Sequence, residues 1–377
     1  MRRLILTICL LLAVFSLSGI AIPNQEGGEL SGSGTFHYKE SQMTRDAILT
    51  SDGYYVLAGD ANDRNEPSVG ILIKAYASFG AVGTVWERTY AGLYARAFTS
   101  VVELGDGTFV AGGYAFYSVM AGDEDVWLVK VDADGTKIWE QTFGERDAQE
   151  DVYAMAATSD GGFIVSALKL EHRTDAIPTT WVLKFDANGK LEWDMVYDTG
   201  VALAIIQTAT GNFLLSGRQG IPGSLDSYVW ALKLGPKGNR IWDQVYKQLE
   251  VYVELDNGLT QTPDGNFVIA GKQFVLKIDP NGQVIWNSSA PNMFFSSVAA
   301  FPDGSLALGG GYNDDNYIDH LFVIVVSADT SKILWKNTEL LPSGAAQVMI
   351  GPYGDVAVAG WVSIDVFRID MILAKFW

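Results

Sequence analysis

Cysteine is almost absent: the 377 residues contain one, Cys9, and it lies in an N-terminal apolar run. Beyond that run there are no disulfides, no thiolate metal site and no cysteine nucleophile. Histidine is nearly as scarce. His37, His172 and His320 are far apart, and none of them makes the paired spacing of a metalloprotease helix, which argues against zinc. Positive charge is also short, with 26 Lys and Arg against 44 Asp and Glu, a formal net charge of −18. No basic patch interrupts that acidity, so the chain is not a nucleic-acid binder. Only 19% of residues are charged while 48% are hydrophobic and 12% aromatic, a balance that fits neither disorder nor a multi-span membrane protein. Prolines number eleven and glycines forty, which points to many tight turns between short elements.

The N-terminus reads as a targeting segment. Met1-Arg2-Arg3 is a short basic start, Leu4 to Ile22 carries no charge, and Ser18, Gly19 and Ala21 are small. This pattern predicts a signal peptide over residues 1–21. The alternative is an uncleaved anchor, because an apolar run of this length can span a bilayer. No cysteine follows the run to carry a lipid. Residues 22–30 are expected to be a linker and residues 31–377 one domain, exported to an extracellular or periplasmic location.

Internal repetition specifies the fold. The segment Thr158-Ser159-Asp160-Gly161-Gly162-Phe163-Ile164-Val165 has relatives along the whole chain. Their turn glycines are Gly53, Gly107, Gly161, Gly211, Gly265, Gly304 and Gly354, and six positions later stand Gly59, Gly113, Ala167, Gly217, Gly271, Gly310 and Gly360. An Asp-Gly pair followed by an apolar run is a tight hairpin entering a buried strand. Thr210 and Tyr353 replace the aspartate in two copies that keep the glycine, so the backbone requirement outranks the carboxylate. A second hairpin lies between the copies, as in Val126-Trp127-Leu128-Val129-Lys130-Val131 and Ile138-Trp139-Glu140. Its tryptophan recurs as Trp86, Trp139, Trp193, Trp242, Trp286 and Trp335, four times with an aromatic four residues on: Tyr90, Phe143, Tyr197 and Tyr246. Strand alternation puts each pair on one face, where it can clamp neighbouring sheets. A small, apolar stretch before each Asp-Gly turn, such as Ala154-Met155-Ala156-Ala157, suits an innermost strand.

Each repeat of about fifty residues thus holds four strands, A to D, and radial repetition of such units makes a β-propeller. The expectation is an all-β, seven-bladed β-propeller of four-stranded antiparallel blades. The last repeat ends at strand C, in Ile372-Leu373-Ala374-Lys375-Phe376. Gly34-Thr35-Phe36 matches the missing strand D, so the N-terminal strand closes the last blade.

The run Lys130-Val131-Asp132-Ala133-Asp134-Gly135-Thr136-Lys137-Ile138-Trp139 resembles the tryptophan-docking motif of quinoprotein-type propellers. The repeat as a whole is similar to secreted prokaryotic propellers built on Thr-x-Asp-Gly-Gly-aromatic units. The resemblance implies a fold and no activity. Quinoprotein dehydrogenases carry an adjacent cysteine pair and commonly eight blades, so this chain does not look like a quinone enzyme, and no cofactor is expected. A similar repeat builds an outer-membrane assembly lipoprotein, whose lipid-bearing cysteine is missing here.

Long B–C connections, at about residues 60–70, 114–125, 168–180, 218–228, 311–320 and 361–369, place the working face at the end shared by the B–C and D–A loops. Tyr114, Phe116 and Tyr117 form an aromatic cluster ahead of Asp123-Glu124-Asp125. Tyr312, Asp314, Asp315, Tyr317 and His320 gather in the sixth repeat, and Arg96, Arg146, His172, Arg173 and Arg218 add positive charge. Aromatic, acidic and amide groups together suit a glycan or a protein ligand. Asp132, Asp186 and Asp279 begin fragments of calcium loops, but none reaches a glutamate at the twelfth position, so they read as turn formers and no metal is expected. The lysines repeated in strand C, Lys74, Lys130, Lys184, Lys233, Lys277 and Lys375, read as scaffold whose stems cover apolar surface. No nucleophile elbow or phosphate loop follows the N-terminal run. The leading expectation is a non-enzymatic exported binding or interaction scaffold. The alternative is a carbohydrate-active hydrolase or lyase using loop carboxylates at the channel mouth. Membrane association is expected only if the N-terminal segment stays uncleaved.

Overall fold

The computed structural model describes residues 30–36, 41–63, 66–78, 81–116, 124–145, 148–171, 177–221, 226–252, 258–313, 319–365 and 368–376. The segments expected to be a signal peptide and most of the linker lie outside them.

The described residues form an all-β fold of consecutive antiparallel strands. Repeat one is Ser41–Leu49, Tyr55–Asp63, Glu66–Ser78 and Ala81–Tyr90, and repeat two is Arg96–Glu103, Phe109–Phe116, Glu124–Val131 and Lys137–Phe143. Repeat three is Ala148–Ala157, Phe163–Glu171, Thr179–Phe185 and Leu191–Tyr197. Repeat four is Val201–Gln207, Phe213–Gly220, Asp226–Leu234 and Arg240–Tyr252. Later strands fuse. Phe267–Ile278 carries B and C of repeat five with Gln273 at φ 63 between them. Val284–Ala300 and Ile333–Ile350 each run from a D position into the next A position. Repeats one and four are separate four-stranded sheets, repeats two and three share one sheet, and the remainder forms a nine-stranded sheet ending in the N-terminal strand Leu30–Phe36. Among the described residues no sheet closes on itself.

Leu30–Phe36 pairs antiparallel with Arg368–Phe376, Leu30 opposite Phe376 and Phe36 opposite Met371. Phe36 is buried with Tyr55, Ile71, Met371 and Leu373, so the strand taken from the front of the chain fills the D position beside repeat one. The A strands are neighbours in series: Ser41–Leu49 lies against Arg96–Glu103, that against Ala148–Ala157, then Val201–Gln207, Gly258–Gln261, Val284–Ala300 and Ile333–Ile350. Ile333–Ile350 in turn lies against Ser41–Leu49.

Two glycine positions have separate causes. All seven A–B turn glycines have φ between 77° and 87°, where a side chain is strained. The second glycine answers a bulge. The A strand skips one residue of pairing at the same place in six repeats, between Thr44/Asp46, Phe98/Ser100, Val152/Ala154, Ala202/Ala204, Phe295/Ser297 and Ala345/Gln347. The bulge pushes a carbonyl at strand B: a Cβ on Gly113 would lie 1.8 Å from the Ala97 oxygen, and one on Gly310 would lie 1.8 Å from that of Phe294.

The D-strand aromatics dock as their spacing predicts, onto the C–D turn of the following repeat. Trp86 Nε1 donates to the Ala133 carbonyl at 2.9 Å, and Tyr90 Oη donates to that of Gly135 at 2.7 Å. Trp242 and Tyr246 repeat the contact at Pro280 and Gly282. The strand-C lysines do more than cover apolar surface. Lys74, Lys184, Lys277 and Lys375 reach carboxylates at 2.8, 3.0, 2.7 and 2.9 Å, namely Asp52, Asp160, Asp264 and Asp355, and Lys130 lies 3.3 Å from Asp106. Asp355 stands one residue past the turn glycine of repeat seven, where it replaces the carboxylate that Tyr353 lacks. Repeat four has Thr210 instead, and Lys233 turns to the Pro280 carbonyl at 2.8 Å. Burial pushes the Lys233 ammonium below its usual range.

The B–C connections are shorter as loops than their composition suggests. Strands continue to Asp63 and Glu66, to Phe116 and Glu124, and to Glu171 and Thr179, because the paired arms keep their backbone groups hydrogen-bonded to each other.

Candidate functional site

A four-stranded antiparallel unit puts its A–B and C–D turns at one end and its B–C and D–A connections at the other. At the second end, between repeats two and three, a single parallel bridge pairs Gln149 with Glu124. Strand A of repeat three begins Ala148-Gln149-Glu150-Asp151-Val152-Tyr153. Alternation buries Ala148, Glu150 and Val152 and leaves Gln149, Asp151 and Tyr153 half-buried on the other side.

The bridge brings two carboxyls together. Gln149 Nε2 donates to Glu124 Oε2 and to Asp151 Oδ2, each at 2.8 Å. The Asp151 carboxyl also meets that of Glu124 directly, and Asp151 Oδ1 receives no hydrogen bond from a protein donor. Burial first, then the Glu124 contact, push the Asp151 carboxyl up to about 7. Two like carboxyls in contact disfavour each other's ionised form. Tyr153 lies within electrostatic reach of Asp151, Glu124 and Arg218, and its hydroxyl is pushed up to about 12, chiefly by burial. Tyr114 has Asp60, Arg45, Asp151 and Glu124 around it, and burial raises its hydroxyl too. Arg45 Nε donates to Asp60 at 3.0 Å. Arg218 Nε is a buried donor without an acceptor.

Glu150 points to the opposite face and is fully buried. Lys169 Nζ lies 3.6 Å from it, 2.7 Å from Glu145 and 5.1 Å from the centre of the Trp181 ring. Burial, opposed by Lys169, carries the Glu150 carboxyl up to about 7.

Of the residues singled out in the sequence, Tyr114 and Arg218 belong to this cluster. Phe116 packs edge-on against Tyr114, with centroids 5.6 Å apart. Tyr312 and His320 form a cross-strand pair in repeat six, rings stacked at 5.0 Å. Arg96 pairs with Glu140 and lies over the Trp127 ring, inside the packing of repeat two. Tyr117, Arg146, His172, Arg173, Asp314, Asp315 and Tyr317 lie outside the described residues. Sequence reasoning passed over Gln149, Asp151, Tyr153, Arg45 and Asp60, which sit in strands. The available signal was the charged pair Glu150-Asp151 at the head of a strand whose later residues are small and apolar. Asp60, Tyr114, Leu168, Arg218, Lys272, Gly311 and Trp361 all follow the second repeat glycine or its alanine equivalent, so one rim position carries different chemistry in successive repeats.

The calcium-like fragments are turns: Asp132 Oδ1 accepts from the Asp134 and Thr136 amides, and Asp186 and Asp279 accept likewise. Among the described residues no group of three or more His, Cys, Asp or Glu is placed to hold a metal ion.

No known family matches the chain, and no curated protein does. It is similar to a solved structure of unknown function from Dyadobacter fermentans, at 11% identity over 93% of this chain and 98% of that one, with a TM-score of 0.55. This likeness concerns the fold alone. A protein of unknown function from Bacteroides caccae (12% identity, 75% of this chain and 93% of that one) and the Dos1 propeller (15%, 70% and 65%) both give TM-scores of 0.44. The class defined so far is an all-β repeat protein of antiparallel four-stranded units.

Proposed function

We propose that the chain is a seven-bladed β-propeller closed by its N-terminal strand, and that it serves as an exported binding scaffold. Its ligand meets the end at which the B–C and D–A connections emerge. Serial contact of the A strands, returning from Ile333–Ile350 to Ser41–Leu49, supports the ring. The observation that carries the binding reading is the Gln149, Glu124 and Asp151 cluster between Tyr114 and Tyr153: polar groups half-buried at one end, set by backbone pairing, and needed by no turn or docking contact. Its carboxyls touch, whereas glycoside hydrolysis needs carboxyls about 5 Å or more apart to flank the bond. Binding therefore suits this pair better than hydrolysis.

The test is a photo-crosslinking residue placed at Tyr114 and, separately, at Ser159 in an A–B turn of the opposite end. Crosslinks to glycan or protein from position 114 and none from 159 support the reading. Equal or reversed yields overturn it. Cell fractionation that leaves the chain in the cytoplasm overturns the export.

A further inference from the structure

The cluster draws on repeats one to four and holds charges of both signs. The chain carries −18, yet Arg45 neutralises Asp60 at 3.0 Å. The Glu124 and Asp151 carboxyls are held on one Gln149 nitrogen, and Arg218 stands within electrostatic reach of Tyr153. What remains unsatisfied is hydrogen bonding of both kinds: Arg218 Nε is a buried donor without an acceptor, and Asp151 Oδ1 an acceptor without a donor. Buried polar atoms left in that state are costly, and a group that both donates and accepts would relieve both.

We propose that this cluster takes a neutral, polyhydroxylated ligand, a sugar unit of a glycan, whose hydroxyls donate to Asp151 and accept from Arg218 while Tyr153 offers its ring to the apolar face of the sugar. The proposal rests on the reading of this end as the binding face. A cationic ligand would meet Arg218, and an anionic one would meet the carboxyl pair. A hydroxyl alternates donor and acceptor at one atom, which matches the mixed array, and aromatic rings are suited to contacts with one apolar side and one wet side.

Isothermal titration with three sets of trimers tests this: maltotriose, cellotriose and triacetylchitotriose as neutral probes, trigalacturonate as the acidic one, and deacetylated chitotriose as the cationic one. The expected result is binding of at least one neutral trimer, kept within about threefold by Asp151→Asn. Asp151→Ala, Arg218→Met and Tyr153→Ala should each weaken it tenfold or more. Tyr153→Phe, which keeps the ring and the packing, should retain binding and so separates stacking from a folding defect. Preference for the charged trimers, or neutral binding indifferent to all three truncations, overturns the proposal. If no trimer binds while crosslinks from position 114 persist, the sugar assignment falls and the binding face stands. If neither trimers nor crosslinks are found, both fall.

Discussion

Gln347 donates from Nε2 to Asp46 Oδ1 at 3.2 Å, although 301 residues of chain separate them. Both stand seven residues before a turn glycine, as do Ser100 and Ser297. Asp46 also accepts from Ser100 Oγ and the Val101 amide, each at 2.9 Å, and Ser297 Oγ donates to Gln347 Oε1. Ser100 Oγ in turn accepts from the Met155 amide at 3.1 Å. A belt of hydrogen bonds therefore runs through the A strands of repeats six, seven, one, two and three. The same position is Ala154, Ala204 and Gly258 in repeats three to five. Burial pushes the Asp46 carboxyl upward, and the donors converging on it oppose that shift.

Removing the belt at the seam should be costly. Gln347→Ala strips a donor from a buried carboxylate and is expected to lower stability by about 1–3 kcal/mol. Urea unfolding of this variant beside Asn212→Ala, in an exposed turn, checks it. Equal midpoints would reduce the belt to decoration.

The N-terminal strand should matter more than the residues before it. Deleting residues 30–36 strips Arg368–Phe376 of its partner and exposes an edge that invites aggregation. Deleting residues 22–28 is expected to leave the midpoint unchanged. Two thermal scans decide between them, and equal midpoints would remove the closure.

Repeat four can be repaired. Thr210→Asp places a carboxylate where four other repeats pair theirs with the strand-C lysine, here Lys233. The expected gain is about 0.5–1 kcal/mol for this partly screened pair, read from the unfolding midpoint. The Lys233 pKa should rise toward its usual range, measured by NMR titration.

Stability should fall as pH rises through the weakly acidic range. Asp151 and Glu150 both stand near 7 when folded, against about 4 when unfolded. Between those values the folded chain holds protons that the unfolded chain releases, so their contribution is largest at the acid end and is lost on the way to pH 7. Asp160 acts in reverse: against its burial, hydrogen bonds from Thr158 and Lys184 hold it near 2, and its contribution disappears only below pH 4. The melting temperature at pH 5 is expected to exceed that at pH 8, and Asp151→Asn, beside Glu124 and Gln149, should narrow the difference. A melting temperature that rises from pH 5 to 8 would refute this.

What the sequence revealed and what it hid follow one physical line. Gly161 and its relatives, and Trp86 with Tyr90, were legible because backbone conformation and packing between repeats impose them again in repeat after repeat. The pairing of Lys74 with Asp52 was present in the same periodicity but went unread, since the two belong to different hairpins and meet only when the strands lie side by side. The site was harder still. Tyr114 stood out as an aromatic beside a loop, but Asp151 gains its meaning from Glu124, 27 residues earlier, through a bridge between two repeats. The extent of strand at Asp63 and Glu66 was hidden too, because composition does not distinguish a long hairpin arm from a loop.

The pairing of Leu30 with Phe376 has a mechanical consequence. Leu30 and Phe376 lie opposite each other at one end of two adjacent antiparallel strands. Tension applied at these two residues would load the rungs one after another, beginning at that pair, and would not load them all at once. The seam would peel like a zipper at low force, whereas the docked turns between repeats would stay unloaded until it had opened.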